Sequence, residues 1–313
     1  MSFTARQLRE GLGFGALVED LDPEAMADEA TRQALRDLWI DRGVVVFRGL
    51  PDDGDTQIAL SRVFGKPARH PLKFAARQDT VDELVDIYYV PERGDIVRIG
   101  DGPSLGAWLP WHFDLVYVDR INHGGILRPV ELPGSGGTTG FIDGLEAYNR
   151  LPEALRDEME GLYVVYHFDA DLAGLRYGNT PGIVLERMNA SAMTVMSKRD
   201  DLPPVAHPLV FTQKETGRKV LNFSPWFSLG IEGMDRAGSD RILGEVLNVL
   251  IDEHHAHFHQ WQPGDMVLWD NWRIVHCATG IPAEQRRHMQ RTTIEGDYGL
   301  GRISDWAEQL EQA

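Results

Sequence analysis

The pattern of hydrophobic and polar positions changes along the chain. In the first part, apolar residues recur at helical spacing and predict a helix over residues 22–43, with Asp22 as its N-cap and Gly43 at its end. The apolar run 44–47 predicts a short buried strand. A second helix is predicted over residues 56–64. These elements form an N-terminal flank rather than a separate domain.

From about residue 84 the pattern changes to short β-type runs separated by Gly and Pro. Strands are predicted at residues 85–90, 111–118, 125–131, 138–142, 255–261, 266–270, 273–278 and 289–295. Helices interrupt them at 152–159 and 240–253. Many short strands with few helices predict a mostly β fold with flanking α, a double-stranded β-helix (jelly roll, cupin-like) with helices packed outside.

The chain shows no internal repeat, low-complexity tract or long linker. We therefore predict a single domain over residues 1–313. Within it, residues 1–83 form the N-terminal helical and strand flank, 84–297 the jelly-roll core with inserts, and 298–313 the C-terminal tail.

Composition limits the partners. The net charge of -17 disfavours nucleic acid and anionic membranes, because an acidic surface repels phosphate groups. An anionic substrate would need a locally basic pocket. The one cysteine, Cys277, excludes an intramolecular disulfide and a Cys-rich zinc site. No signal-peptide pattern and no apolar run of the roughly 18 residues that span a bilayer is present, so we expect a soluble cytoplasmic protein.

The first candidate chemistry is His112-Phe113-Asp114, inside the strand predicted at 111–118. Alternating strand residues share a face, so His112 and Asp114 would project together. Two such ligands plus a distant histidine make the facial triad of non-haem iron oxygenases. A His-x-Asp pattern alone is common by chance. The two residues could equally lie on the surface or form a hydrogen bond with each other.

The second candidate is a turn and apolar strand, residues 263–271, that lead to His276. Further on, Arg287 and Arg291 share a strand face and could point into one cavity beside this histidine. Buried arginines need anionic partners and bind carboxylates bidentately, which suits a dicarboxylate. The alternative is an exposed basic edge strand, since Arg286-Arg287-His288 is also favourable in water.

Together these elements resemble the taurine dioxygenase-like (TauD/TfdA) family of Fe(II)- and 2-oxoglutarate-dependent dioxygenases, which includes phenoxyacetate dioxygenases. The resemblance extends over most of the chain. Its landmarks are, in chain order, residues 44–49, 64–67, 111–114, 132–139, 207–210, 216–218, 269–271, 276 and 287–297.

The resemblance implies that His112, Asp114 and His276 ligate Fe(II). It also implies an enzyme that uses 2-oxoglutarate and O2 as cosubstrates, oxidises a small organic molecule, and releases succinate and CO2. Because Asp114 is present, oxygen transfer is favoured over halogenation, which related enzymes achieve with a small residue there. The family also suggests a homo-oligomer, either a dimer or a tetramer.

The resemblance further implies that Arg287 pairs with the distal carboxylate of 2-oxoglutarate and that Thr139 assists it. Arg291 would contact the anionic head of the substrate or the cosubstrate. Asn271 could orient the region of His276, or could simply form a turn.

Substrate contacts are predicted at His70, Lys73, Trp108 and Phe113, besides Arg291. His70 could also be a loop residue without a role. Relatives that act on smaller substrates have a polar residue where Trp108 stands, which favours a larger, hydrophobic or aromatic substrate carrying an acidic group. Tyr117 and Trp226 are further possible pocket residues, although aromatic side chains more often belong to the core.

The densest histidine cluster comprises His254, His255, His257 and His259. We interpret it as an outward or partly buried strand face, not as the catalytic site. Two alternatives to the enzyme remain at this point: a catalytically silent jelly-roll binding protein, and a cupin-type metalloenzyme that does not use 2-oxoglutarate.

Overall fold

The computed structural model describes residues 3–68, 77–78, 81–178, 180, 182–197, 199–296 and 298–306. Strands dominate this part of the chain. They are β1 (Thr4–Gln7), β2 (Ala16–Glu19), β3 (Val44–Phe47), β4 (Pro67–Ala68), β5 (Arg77–Gln78), β6 (Val81–Tyr89), β7 (Ile96–Ile99), β8 (Ser104–His112), β9 (Gly124–Glu131), β10 (Thr139–Asp143), β11 (Tyr163–Tyr166), β12 (Ile183–Arg187), β13 (Val205–Pro208), β14 (Val210–Thr212), β15 (Lys219–Leu221), β16 (Ser228–Ile231), β17 (Ala256–His259), β18 (Met266–Asp270), β19 (Ile274–Pro282), β20 (Arg287–Ile294) and β21 (Arg302–Ile303).

The α-helices are α1 (Glu29–Arg42), α2 (Gly54–Phe64), α3 (Gly144–Arg150), α4 (Glu153–Met159), α5 (Ala190–Met196) and α6 (Arg236–Leu250). Short 3-10 helices cover Pro23–Ala27, Leu172–Gly174, Arg199–Asp201 and Glu253–His255. None of the helices in the described ranges is long and apolar enough to cross a membrane.

The helix predicted over residues 22–43 is two helices. Asp22 caps the 3-10 helix Pro23–Ala27, and the Asp28 side chain then accepts from the Thr31 amide and caps α1. The second cap explains the break, because an aspartate that bonds an amide three residues ahead begins a new helix. Gly43 ends α1 with a φ of 72°, as predicted.

A large sheet carries the flank and the core together. Its strand order is β1-β2-β3-β18-β9-β20-β6-β5, with β4 also paired to β20. The predicted strand β3 pairs antiparallel with β18 and parallel with β2. The N-terminal elements therefore extend the same sheet that contains the arginine strand β20.

The second sheet has the order β12-β7-β8-β19-β10-β17. It packs against the large sheet: Trp269 of β18 lies 6.3 Å from the Phe141 ring and 5.0 Å from the His276 ring, both centroid to centroid. Apart from the β2–β3 pair the strands are antiparallel, and the sheets do not close into a barrel. Two facing antiparallel sheets with helices outside confirm the predicted mostly β, jelly-roll fold.

Two smaller sheets, β16-β11-β13-β21 and β14-β15, and the helices surround this sandwich. Helix α6 buries one apolar face in the largest hydrophobic cluster, as its sequence predicts. The buried residues of that face are Ile242, Leu243, Val246 and Leu250. The helix therefore covers this cluster from outside.

The strand predicted over 111–118 is wrong in its extent. Strand β8 begins earlier, at Ser104, and ends at His112 where its pairing with β19 ends. The chain then turns, and Leu115 adopts a left-handed φ of 58°. A non-glycine residue there costs on the order of 1–3 kcal/mol, so the surrounding contacts must fix this turn.

Candidate active site

His112 and His276 face each other because they are paired in adjacent strands. The register of β8 against β19 places His276 opposite His112, at the last pair of that ladder. Their ring centroids are 4.3 Å apart, and both side chains are buried. The two histidines are 164 positions apart in sequence, so the contact depends on the sheet.

Asp114 completes a group of three. Its Oδ1 lies 3.9 Å from His112 Nε2, and its Oδ2 lies 3.8 Å from His276 Nε2. One ligand atom from each residue lies within 4.8 Å of the others, and within the described ranges this is the one such group of metal-ligating side chains. The separations are too long for hydrogen bonds. The turn after β8, and not strand alternation, brings Asp114 to the histidines.

The protonation states of the three residues suit a cation. Burial lowers the pKa of His112, and it lowers the pKa of His276 to about 3, so both rings are neutral at neutral pH. Burial alone would raise the pKa of Asp114, but Arg291 and the two histidines hold it below its usual range. Neutral imidazoles and an ionised carboxylate are the forms that ligate metals.

The His112 ring is oriented by its own strand. Its Nδ1 lies 2.8 Å from the Pro110 carbonyl oxygen. Because a carbonyl can only accept, Nδ1 carries the proton and donates, and Nε2 keeps a free lone pair toward Asp114. The His112 ring also contacts Trp226, with a centroid distance of 5.4 Å in a T-shaped arrangement.

Asn271 fixes the backbone of Asp114. The Asp114 amide donates to Asn271 Oδ1 at 2.8 Å, and Asn271 Nδ2 donates to the Asp114 carbonyl at 2.9 Å. Asn271 is fully buried directly after β18, and its Nδ2 also reaches Asn122. The sequence suggested that Asn271 orients the His276 region; instead its side chain acts on the turn that carries Asp114.

Arg291 lies beside the carboxylate. Its Nη1 donates to Asp114 Oδ1 at 2.8 Å, and both side chains are mostly buried. The second oxygen, Asp114 Oδ2, is buried without a hydrogen-bond partner among the described residues. A buried carboxylate oxygen without a partner costs free energy unless it has a ligand. This oxygen, together with the neighbouring Nε2 atoms of His112 and His276, fits a metal cation.

Arg287 is a buried cation without a counter-ion. It lies on the same face of β20 as Arg291, is 6% exposed, and makes no ion pair or hydrogen bond with a described residue. Burial lowers its pKa to about 10, which leaves it charged at neutral pH. An uncompensated buried charge costs several kcal/mol, so this guanidinium fits an anionic ligand. The alternative of an exposed edge strand is wrong, because β20 lies between β9 and β6.

Thr139 begins β10 and is buried on the second sheet. It shares a sheet face with Phe141, which is paired with His276. Its hydroxyl oxygen accepts a hydrogen bond of 3.1 Å from the Trp261 indole. A threonine hydroxyl and an unpaired guanidinium together supply several hydrogen-bond donors and one positive charge. A carboxylate offers the matching acceptors and the opposite charge.

Trp226, whose ring contacts the His112 ring, also lines a cavity. The Trp226 ring stacks on Phe227 at 4.1 Å, and the two line a cavity of about 500 Å³ together with Leu202 and Leu229. The rest of the lining is mixed and includes the apolar Leu175 and the charged Arg199. The indole of Trp226 therefore borders both the His112 ring and this cavity.

The remaining predicted substrate contacts have different outcomes. Phe113 is fully buried in the largest hydrophobic cluster. Trp108 of β8 is paired with Thr279 of β19. An irregularity in the pairing of these strands separates Trp108 from His112. His70 and Lys73 lie outside the described residues, and all of these contacts remain predictions.

The histidine cluster divides into two parts. His254 and His255 belong to the 3-10 helix Glu253–His255 and are at least partly exposed. His257 and His259 alternate on β17, and His259 is buried, with its Nε2 3.1 Å from Asp265. The prediction of an outward or partly buried strand face is therefore wrong for His259, which is almost fully buried beside a buried aspartate.

Two residues in this region had no sequence signal. Ser224 accepts the Phe113 amide at 3.3 Å and donates to the Trp226 carbonyl at 3.0 Å, which joins the turn after β8 to the Trp226 segment. Trp261 bonds Thr139. Both residues form contacts between distant parts of the chain. The sequence indicates these contacts only through the residue types, a serine and a tryptophan near turns.

The family model described as "Taurine catabolism dioxygenase TauD, TfdA family" matches residues 4–293. An alpha-ketoglutarate-dependent 2,4-dichlorophenoxyacetate dioxygenase of Cupriavidus pinatubonensis is 31% identical over 289 residues, which cover 91% of this chain and 95% of the relative. Alpha-ketoglutarate is another name for 2-oxoglutarate.

An alkylsulfatase of Acinetobacter baylyi is 28% identical over 297 residues, covering 94% of this chain and 86% of the relative. Among solved structures, a taurine dioxygenase from Burkholderia xenovorans superposes with a TM-score of 0.71 at 24% identity, covering 95% of this chain and 90% of that one. This likeness supports the same fold.

Proposed function

This chain belongs to the TauD, TfdA family of dioxygenases, and on that premise we propose that it oxidises a small hydrophobic or aromatic molecule that carries an acidic group. The chain is an Fe(II)- and 2-oxoglutarate-dependent dioxygenase that uses O2. The predicted alternatives, a silent binding protein and a metalloenzyme without 2-oxoglutarate, are wrong on the same grounds. The residue roles and the substrate class are the proposal.

The proposed iron ligands are His112, Asp114 and His276. The observation that carries the assignment is the buried group of three, in which one ligand atom of each residue lies within 4.8 Å of the others and one Asp114 oxygen has no hydrogen-bond partner among the described residues. Two histidines and one carboxylate leave coordination positions open, as non-haem Fe(II) oxygenases require. Asn271 keeps the Asp114 turn in place through its two hydrogen bonds to the backbone.

Arg287 and Thr139 are the proposed anchor for the distal carboxylate of 2-oxoglutarate. The cation of Arg287 has no protein counter-ion among the described residues, and a bidentate pair with a carboxylate would compensate it. The Thr139 hydroxyl lies on the sheet face that also carries His276, so it can donate to the same ligand. Together they would hold the distal carboxylate of the cosubstrate from the two sheets, Thr139 on β10 and Arg287 on β20.

When bound, Fe(II) with 2-oxoglutarate and O2 supplies the oxidising power. The chain's own contribution is placement and exclusion of water. Burial keeps His112 and His276 neutral, Arg291 keeps Asp114 ionised, and the Trp226 ring bounds the His112 side with an apolar surface. A substrate carbon beside these residues would be oxidised in preference to solvent.

The proposed substrate class is based on the surroundings of the three ligands. Arg291 is the cation nearest to them and could release Asp114 in part to pair with an acidic group. The cavity of about 500 Å³ that Trp226 borders has apolar and charged lining residues, and it would give room for a body larger than a short alkyl chain. The relatives named for a phenoxyacetate and for alkyl sulfates agree with an acidic group on a hydrophobic body.

The test is a substrate panel. Succinate formation with Fe(II), 2-oxoglutarate and O2 would be measured across aryloxy-carboxylates, sulfonates, sulfate esters and hydrophobic amino acids, together with loss of each compound. We expect stoichiometric coupling for at least one acid with an aromatic or long alkyl body. Coupling confined to short sulfonates would contradict the proposed class, whereas it would leave the iron site unaffected.

A further inference from the structure

Trp261 connects the second sheet to the proposed cosubstrate site. It lies after β17 in the loop that leads to β18, and its indole Nε1 donates to Thr139 Oγ1 at 3.1 Å. Thr139 is 6% exposed. The two residues are 122 positions apart, so this bond joins two elements of the fold at the proposed anchor.

The bond determines which way the Thr139 hydroxyl can act. An indole N–H is only a donor, so the Thr139 oxygen must accept from it. The hydroxyl proton is then left for another acceptor. A hydroxyl that already accepts one hydrogen bond is polarised into a better donor. Trp261 therefore leaves Thr139 ready to donate to an anion.

A group of polar side chains in turn supports Trp261. The His259 ring contacts the indole edge-on at 4.8 Å, and His259 Nε2 lies 3.1 Å from Asp265 Oδ2. Asp265 also accepts the Gln262 amide at 3.0 Å, which fixes the backbone directly after Trp261. Arg48 binds the same carboxylate bidentately, at 2.8 and 3.0 Å. All of these contacts form within the protein and need no bound ligand.

We propose that Trp261 is a positioning residue for 2-oxoglutarate: through its N–H it orients the Thr139 hydroxyl as a donor to the cosubstrate's distal carboxylate. The inference rests on the proposed function, in which Thr139 and Arg287 anchor that carboxylate. It adds a residue that does not touch the ligand and that acts only through Thr139.

The test is a double-mutant cycle on 2-oxoglutarate affinity. Trp261→Phe keeps the ring and removes the N–H, and Thr139→Val removes the hydroxyl while keeping the shape. The dissociation constant of 2-oxoglutarate would be measured by calorimetry on Fe(II)-loaded protein without O2. We expect Trp261→Phe to weaken binding about 3- to 10-fold, Thr139→Val to weaken it at least as much, and the double variant to match Thr139→Val within about twofold.

The matched control is Trp272→Phe. Trp272 also donates its indole N–H, at 3.3 Å, but to the Ile121 carbonyl. It should lose thermal stability comparably to Trp261→Phe and keep the affinity for 2-oxoglutarate within about twofold. Equal loss of affinity in both tryptophan variants would mean a general structural effect and would overturn the proposal.

Additive effects of Trp261→Phe and Thr139→Val would also overturn it, because Trp261 would then act by another route. Failure of the proposed function gives a different result. In that case Thr139→Val and Arg287→Met would themselves leave 2-oxoglutarate affinity unchanged. Weakening by these two variants with no effect of Trp261→Phe would remove this inference alone.

Discussion

Replacing Arg287 with methionine should separate ligand binding from stability. Arg287 is 6% exposed and has no counter-ion among the described residues. Methionine has a similar length and no charge. Removing an unpaired buried charge should leave the free energy of unfolding of the ligand-free protein unchanged or raise it, since apolar replacements of buried ionic groups are often neutral or stabilising by ~1–4 kcal/mol.

The affinity for 2-oxoglutarate should fall in the same variant. Truncating one partner of a buried charge pair costs about 2–5 kcal/mol, and about 3 kcal/mol corresponds to roughly 100-fold in the dissociation constant. At a concentration about 100 times the wild-type constant, 2-oxoglutarate should stabilise the wild type by about 2.7 kcal/mol. The variant, near half-saturation there, should gain about 0.4 kcal/mol.

The assay is urea unfolding of Fe(II)-loaded protein without O2, with and without 2-oxoglutarate. Arg273→Met is the matched control, because Arg273 is equally buried but pairs with Asp143 at 2.7 and 2.6 Å. Unpairing the buried Asp143 should cost about 3–5 kcal/mol in the ligand-free protein. The stabilisation gained from 2-oxoglutarate should remain as in the wild type.

The reasoning would be refuted if Arg287→Met lost as much ligand-free stability as Arg273→Met. That result would mean that Arg287 has a structural partner. Unchanged stabilisation by 2-oxoglutarate in Arg287→Met would refute the assignment of the anchor instead.

Two further predictions concern the neighbours of the proposed ligands. Asn271→Ala should lower Fe(II) affinity by roughly 10- to 100-fold in an anaerobic metal titration, because the backbone of Asp114 loses both hydrogen bonds; unchanged affinity would show that the turn is fixed otherwise. Trp226→Ala should raise kcat/KM for bulky members of the panel relative to compact ones, because the ring borders both His112 and the cavity. An unchanged ratio would place the substrate elsewhere.

Local sequence patterns predicted the elements that a continuous apolar run marks in the sequence. The apolar runs at 44–47 and 266–270, each followed by polar or glycine residues, are the strands β3 and β18 with the predicted bounds. The edge strand β12 and its neighbour β7 escaped prediction. Both are short and mostly only partly buried, so their alternation is weak, and they form because β12 pairs with β7 and β7 pairs with β8.

The site was predictable as a set of residues but not as a geometry. The residues His112, Asp114 and His276 meet as expected, yet a turn fixed by Asn271 does what strand alternation was expected to do. The family resemblance indicated which further residues accompany these three in the site. The bond from Trp261 could not be foreseen, because an indole N–H finds its acceptor only when the sheets have formed. Whether the protein is a dimer or tetramer, and whether it is one domain, remain predictions.

Iron content is the most direct test of the central claim. Purified wild type and the three variants His112→Ala, Asp114→Ala and His276→Ala would be titrated with Fe(II) under anaerobic conditions and then assayed for succinate. His255→Ala, from the histidine cluster outside the site, is the control. We expect one tightly bound Fe(II) per chain and coupled succinate in the wild type and in His255→Ala, and loss of both in each ligand variant. Full iron binding and succinate formation in His112→Ala would contradict the account.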